Sequence, residues 1–269
     1  MDNTTVITIV LTVVALGTSI ISAIIGMGGG ILLLAVMYTV LPEKELVVPM
    51  HASVQLISNF SRVLAYIKNV HWKMLSFFLV GAVPGLVLGT VLLLRLLEHR
   101  EEVTPYMMLL VGCFILIVTY RKKNKTKNDF PLERFVWLGS YAAPLSLLFG
   151  ATGPVLAPYF MRDDLKKAGV VATKAICQFC VHFLKMIIFY YLFTIGANDK
   201  ILKYEDLLQP GTMLAFLLVA AIVGTFVGKG LNEKVSEERF KKMYVVVLNV
   251  AGFKILLVDG VWQIILRFL

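Results

Sequence analysis

The sequence has too few charged residues for a protein that is surrounded by water. Charged residues make up 16% of its 269 residues and hydrophobic residues 58%, and the mean hydropathy is +0.82. A soluble globular domain is about 25% charged and about 45–50% apolar. A soluble fold is therefore excluded, and we expect the chain to lie in a lipid bilayer.

The apolar residues form long blocks. A helix needs about 20 residues to cross the hydrocarbon layer, whereas barrel strands would alternate in polarity over about 10 residues. The blocks are Val6–Ile25, Met74–Leu97, Met107–Tyr120, Thr212–Val227 and Tyr244–Val258. We therefore predict an all-α integral membrane protein, a single transmembrane domain over residues 1–269 with about eight membrane segments.

Cysteine is scarce, and the N-terminus carries no basic residue. Cys113, Cys177 and Cys180 all lie inside apolar blocks, so they predict no disulfide framework, and we interpret them as buried helix residues. Met1–Thr5 lacks the positive region of a cleavable signal peptide. No cofactor and no metal site are predicted.

The positive charges concentrate between the apolar blocks. The net charge is +9, and the densest basic run is Arg121–Lys127. Cytoplasmic loops of membrane proteins carry an excess of Lys and Arg, so residues 121–134 are predicted to form a cytoplasmic loop rather than a nucleic-acid-binding segment. The same rule puts the basic connections 68–73, 162–167 and 229–242 on that side of a multi-pass protein of the cell membrane.

The two halves of the chain share one order of features. Repeat one covers residues 6–120 and repeat two residues 135–258, and each opens with an apolar stretch that glycines interrupt, at Gly26–Gly30 and at Gly150–Pro154. Each half continues with a helix that contains polar residues and then a glycine-rich helix. The corresponding glycines of those helices are Gly85 and Gly89, and Gly224 and Gly228.

The orientation of the repeats depends on these interruptions. If each glycine cluster is the tip of a re-entrant hairpin, the halves are inverted and the N-terminus is external. The first apolar block is long enough to cross alone, which instead favours a glycine-broken crossing helix. Both interpretations stay open.

Carboxylates are missing from the predicted membrane interior, since all 17 lie in predicted loops or near helix ends. The deep ionisable residues are basic: His51, Arg62, Lys174, His182 and Lys185. A charge inside the bilayer costs several kcal/mol and normally has a partner. The simplest partner for these cations is a mobile anion. Deep carboxylates for Na⁺ coupling or a proton relay are lacking, although His51 or His182 would serve for proton-coupled uptake.

The basic residues belong to two matching stripes. The first stripe is His51, Gln55, Asn59 and Arg62, and the second is Lys174, Gln178, His182 and Lys185. The 4-4-3 spacing puts each set on one face of a helix, and we predict that both faces line one central anion site. The alternative is that His51 lies at headgroup level and that Arg62 and Lys185 extend to the membrane surface.

The glycine clusters supply a second part of this site. A helix interrupted within the membrane leaves free N–H groups and partial positive charge at the start of its second piece, and such ends bind anions. The predicted donors are the backbone N–H groups of Gly28, Gly29, Gly30, Thr152 and Gly153.

The first glycine cluster, with Ala52-Ser53 in a polar helix and a weaker copy in the second half, resembles the TauE/SafE family of sulfite and sulfonate exporters. The resemblance covers nearly the whole chain. In the second half Pro158 keeps the proline that normally follows the glycines. The departures from the family motif are Leu34 in place of that proline, and Thr152 and Pro154 in place of glycines.

This resemblance implies export of sulfite, an organosulfonate or another small oxyanion, and we predict that it proceeds by alternating access at a midplane site between the repeats. Export of a monovalent anion gains about 2.3 kcal/mol per 100 mV of negative-inside potential. A passive anion channel and a non-transporting scaffold or receptor are the alternatives. An enzyme is not expected, because no nucleophile–base pair or metal set is present. The identity of the anion, export against uptake, the coupling ion and a homo-oligomeric state stay open.

Overall fold

The computed structural model describes residues 3–42, 44–96, 100–120, 131–149, 153–160, 162, 164–195 and 211–268. These residues form helices and turns and contain no β-strand, so the all-α prediction is confirmed. The helices are α1 (Asn3–Ile25), α2 (Gly29–Val40), α3 (Lys44–Tyr66), α4 (Trp72–Leu96), α5 (Arg100–Tyr120), α6 (Arg134–Phe149), α7 (Gly153–Phe160), α8 (Lys167–Ile195), α9 (Gly211–Lys234) and α10 (Glu237–Phe253). A 3₁₀ turn at Ile67–Asn69 follows α3, and α10 continues as a π-helix at Lys254–Trp262 and a last α-turn at Gln263–Ile265.

Five of the described helices are long and apolar enough to cross a membrane: α1, α4, α8, α9 and α10 with its continuation. The protein is therefore a multi-pass membrane protein. The count is below the predicted number because α2 is shorter and α5 is apolar only over Met108–Ile117. Helix α3 has 23 residues, but its polar stripe lowers its hydropathy.

The chain turns back on itself at the first glycine cluster. Gly26 and Gly28 have φ angles of 82° and 93°, in the left-handed region that glycine enters without steric cost. A Cβ on Gly29 would overlap the carbonyl oxygen of Thr18 and the hydroxyl of Ser22. The start of α2 therefore lies directly against α1. Residues 150–152, at the corresponding interruption of the second half, lie outside the described residues.

Helices α1 and α9 are in close contact through small residues. A Cβ on Gly224 would lie 2.5 Å from the Leu16 carbonyl oxygen, and a Cβ on Gly228 would lie 2.6 Å from that of Ile20. The residue numbers rise together along both helices, so α1 and α9 are parallel. Glycines four residues apart allow two helix backbones to approach in this way.

Helices α4 and α6 form a second pair with the same arrangement. A Cβ on Gly85 would lie 2.6 Å from the Ser140 carbonyl oxygen, and a Cβ on Gly89 would lie 2.7 Å from the Cα of Pro144. These helices are also parallel. In each pair, the first helix of one half therefore packs on the glycine-rich helix of the other half.

Helices α3 and α8 are antiparallel. The ring centroids of His51 and His182 are 6.4 Å apart, and those of Phe60 and Phe179 are 5.5 Å apart. The residue number therefore rises along α3 as it falls along α8. The two polar stripes run in opposite directions along this contact.

The last helices of the two halves are antiparallel as well. Gly112 of α5 packs on Leu256 of the π-helix, and Gly252 of α10 packs on Leu116. A side chain at either glycine would overlap its neighbour. Both contacts cross from one half of the chain to the other.

The last apolar block is longer than predicted. The helix runs past Val258 to Ile265, so Asp259 lies inside a helix rather than in a loop. Both carboxylate oxygens of Asp259 are 2.6 Å from Nζ of Lys254. A spacing of five residues matches the i→i+5 repeat of a π-helix, so this segment aligns the two charges.

We expect Gly224→Ala to lower the melting temperature of the detergent-solubilised protein. Its new Cβ would meet the Leu16 carbonyl oxygen, and overpacking costs about 1–3 kcal/mol. Gly230→Ala is the matched control, because that glycine, on the same helix, has nothing within 4 Å of its ideal Cβ. Equal melting temperatures for Gly224→Ala and wild type would contradict the close approach of α1 and α9.

Candidate functional site

A cavity of about 20 Å³ lies where the starts of α2 and α7 meet α3 and α8. The predicted site residues among its lining are Gly28, Gly30, His51, Gln55, Arg62, Gly153, Gln178 and His182. Residues from both halves of the chain therefore surround one space. Thr152, which was also predicted, lies outside the described residues.

The middle of the cavity holds two equivalent glycine–glutamine contacts. A Cβ on Gly30 would lie 3.0 Å from Oε1 of Gln55, and a Cβ on Gly153 would lie 3.4 Å from Nε2 of Gln178. Each glutamine amide therefore lies beside the first turn of a short helix. The amides provide hydrogen-bond donors and acceptors without adding charge.

Arg62 is the buried guanidinium of the cavity wall, with 2% of its surface exposed. Its Nη2 donates to Oδ1 of Asn59 at 2.7 Å, and its Nε donates to the Ser58 carbonyl at 3.2 Å. Nδ2 of Asn59 in turn donates to the Gln55 carbonyl at 2.7 Å. Asn59 was predicted to contact the anion, but it lies behind the wall and orients Arg62.

The two histidines of the stripes face each other across α3 and α8. Nε2 of His51 is 2.8 Å from the Gly30 carbonyl oxygen, which assigns the proton to that nitrogen as the donor. The two rings meet edge to face. In the described part of the chain, Nδ1 of His182 has no hydrogen-bond partner although it is buried.

Lys174 and Lys185 do not line the cavity, contrary to the prediction. They stand eleven residues apart on α8, a span of about 16 Å, and only the residues between them reach so small a space. Nζ of Lys185 donates to the carbonyl and the hydroxyl of Ser146 at 3.2 and 3.4 Å.

Lys174 has a different environment. Its side chain is fully buried, and its Nζ has no hydrogen-bond acceptor among the described residues. It lies 5.6 Å from the ring centroid of Tyr244, whose hydroxyl donates to the Ala157 carbonyl at 2.8 Å. The ring offers a weak attraction to the cation but leaves the ammonium without a hydrogen bond.

The basic side chains therefore lie at both ends of the paired stripes. Because α3 and α8 are antiparallel, Arg62 is level with Lys174, and His51 is level with His182. The uncharged Gln55 and Gln178 lie between these ends.

Sequence reasoning missed the contribution of α1. Ser22 lines the cavity, and it forms a buried polar strip on α1 with Thr18 and Ser19. A polar residue four positions before the glycine cluster was the available signal. Gly29, which was predicted to bind the anion, packs against this strip instead.

The connection from α7 to α8 contains an ion pair outside the cavity. Nε and Nη2 of Arg162 donate to the two carboxylate oxygens of Asp164 at 2.7 and 2.8 Å. These bonds hold the pKa of the Asp164 carboxyl below its usual range. The pair therefore stays ionised at neutral pH and fixes the approach to α8.

Comparison with known families assigns the chain. The family model described as "Sulfite exporter TauE/SafE" matches residues 11–255. The match extends from α1 into the π-helix and includes both glycine clusters, and it confirms the family expected from the glycine motif. Comparisons with curated proteins and with solved structures give no match. The chain belongs to the TauE/SafE family of sulfite exporters, a family of membrane transporters.

Proposed function

We propose that this protein exports a small oxyanion that carries an –SO₃ group, sulfite or an organosulfonate, through the cavity between α3 and α8. The observation that carries the proposal is the chemistry of the wall. Arg62 and two histidines line the cavity, and its described lining contains no carboxylate. A buried cation without a fixed counter-charge is stabilised by a bound anion.

The short helices add to the attraction. The first intrahelical bond of α2 runs from the N–H of Leu32 to the Gly28 carbonyl, so the N–H groups before Leu32 have no partner in the helix. Helix α7 begins at Gly153, and this residue lies beside the amide of Gln178. Two helix N-termini that point into one cavity give it partial positive charge.

The donors suit an –SO₃ group because it presents three acceptor oxygens. The Arg62 guanidinium supplies charge and a planar fork of N–H groups. The amides of Gln55 and Gln178 and the N–H of Gly30 supply neutral donors around it. Sulfite and sulfonates share this –SO₃ group and differ in what lies on the far side of the sulfur atom.

The proposal includes two inverted repeats, residues 6–120 and 135–258, that rock against each other. The support is the pattern of helix directions. A two-fold axis in the membrane plane pairs each helix with an oppositely directed counterpart, and α3 with α8 and α5 with α10 meet in this sense. The same axis exchanges the α1–α9 pair for the α6–α4 pair, and glycines four residues apart hold both pairs.

We place the face that holds the end of α3 and the start of α8 on the cytoplasmic side, because Lys68, Lys73, Lys166 and Lys167 lie there. An anion from the cytoplasm then meets Arg62 first, passes the two glutamines, and leaves past His51 and His182. The negative-inside potential favours this direction.

We expect liposomes that contain the protein to release sulfite or a sulfonate in a saturable manner, faster than sulfate or a carboxylate. Arg62→Gln should lower kcat/KM at least about tenfold, because a charged hydrogen bond contributes about 1.5–3 kcal/mol. Lys73→Gln, which removes an exposed charge outside the cavity, should leave the rate unchanged. Flux that rises linearly with concentration would indicate a channel, and no flux of any anion would favour a scaffold.

Membrane potential should drive the export. For an uncoupled monovalent anion, 100 mV is worth about 2.3 kcal/mol, or about a 50-fold concentration ratio at equilibrium. The test sets the potential with potassium and valinomycin and measures the concentration ratio of the anion at equilibrium. A concentration ratio that does not change with the potential but changes with a pH gradient would contradict uncoupled export. Transport by His51→Gln and His182→Gln would then show which imidazole carries the proton.

Lys174→Met should raise the melting temperature and lower the rate of transport. The buried ammonium has no acceptor in the described part of the structure, and an unsatisfied buried polar group costs about 1–3 kcal/mol. Lys185→Met is the matched control: it loses two hydrogen bonds to Ser146 and should lower the melting temperature. Destabilisation by Lys174→Met would mean that the ammonium has a fixed partner within the protein.

A further inference from the structure

A second cavity, of about 580 Å³, opens at the end of α3. The 3₁₀ turn at Ile67–Asn69, the start of α8 and the end of α9 surround it. This is the basic face that the proposed function puts on the cytoplasmic side. The family match does not assign a role to this cavity.

The charge of this second cavity is positive. Lys68, Lys167 and Lys229 line it, together with Glu233. The ammonium of Lys167 is hydrogen-bonded within the protein, since it donates to the carbonyls of Asn232 and Val235. Lys68 and Lys229 supply the remaining positive charge of the lining.

A thin wall separates this cavity from the central site. Tyr66 lines the second cavity, and Arg62, one turn earlier on α3, lines the central one. Four residues of an α-helix span about 6 Å along the axis. The Tyr66 ring is 5% exposed, and its hydroxyl donates to the Ala23 carbonyl at 3.2 Å. Ala23 lies three residues before the Gly26 turn, so the wall ends at an interrupted helix.

We propose that the second cavity is an anion vestibule, in which Lys68 and Lys229 concentrate the –SO₃ substrate, and that Tyr66 is the gate between this vestibule and Arg62. A basic concave surface raises the local concentration of anions and their rate of entry. Breaking the bond from Tyr66 to Ala23 opens the passage. The gating part rests on the proposed function, and the electrostatic part does not.

An anionic lipid headgroup is a second kind of anion that would bind in this cavity, because the exposed apolar side chains of Leu64 and Ile67 border it. The two sources differ in what reaches the cavity. A headgroup occupies it only in a bilayer that contains anionic lipid, whereas a small anion reaches it in any bilayer.

The electrostatic part is tested with Ala65→Cys, at a partly buried position in the lining, in a background without the three native cysteines. In neutral-lipid nanodiscs, an anionic methanethiosulfonate should modify this thiol about tenfold faster than a cationic one, at the low end of electrostatic steering. Lys68→Gln with Lys229→Gln should bring the ratio near one, and Lys73→Gln with Lys242→Gln should not. Equal rates for both reagents without these lysine substitutions would overturn the vestibule.

The same labelling identifies the occupant. Adding phosphatidylglycerol to the nanodiscs should leave the rate at Ala65→Cys unchanged, whereas protection by this lipid would overturn the substrate vestibule in favour of a headgroup site. The labelling requires no transport. A positive vestibule together with absent flux would therefore reject the proposed function alone, and flux with equal labelling rates would reject the vestibule alone.

The gate is tested with Ile31→Cys, whose side chain lines the central cavity. Tyr66→Phe keeps the ring and removes the bond to Ala23, and it should increase labelling of this thiol from the basic face severalfold. Tyr244→Phe is the matched control, because it removes a similar bond to the Ala157 carbonyl away from the vestibule. An unchanged rate in Tyr66→Phe, with normal melting temperature, would overturn the gate.

Discussion

Positive charge buried beside a cavity whose described lining contains no carboxylate is the constraint on which this structure depends. Charges in a bilayer are costly unless something compensates them. The protein holds Arg62 by bonds to its own helix and Lys185 by bonds to Ser146, while the ammonium of Lys174 lies over an aromatic ring and has no acceptor among the described residues. No carboxylate is part of the described cavity lining, and the proposed function assigns the compensating charge to an anion that enters and leaves.

Holding such charges in place requires a rigid frame, and glycine contacts supply it. The α1–α9 and α4–α6 pairs each bring two backbones to the distance at which a methyl group no longer fits. Both pairs join the two halves of the chain, so neither half forms its packing alone. The cavity lies between these paired elements, where α3 and α8 cross. Motion of the α1–α9 pair against the α4–α6 pair would change access to the cavity and leave the glycine contacts within each pair intact.

Much of this was predictable, because side-chain periodicity fixes the face of a helix on which a residue lies. The spacing of Gln55 and Arg62 predicted a shared face, and both residues lie in the cavity lining. Periodicity does not fix position along the axis, and for this reason Lys174 and Lys185 were placed in a site too small to include them. Ser22 was missed because a single hydroxyl in an apolar helix is also typical of packing. The length of the last helix was underestimated because Asp259 lowers the hydropathy of this segment, although the structure pairs its carboxylate with Lys254.

The central amides explain how such a site can bind an anion and still release it. A cavity with every cation around one point would hold an oxyanion too tightly, and conduction requires several sites of moderate strength. Here the charges lie toward the two ends of the α3–α8 contact, and Gln55 and Gln178 lie between them beside the starts of α2 and α7. Under the proposed function, an anion at the amides is attracted toward both ends, and rocking that weakens one end relative to the other sets the direction of release.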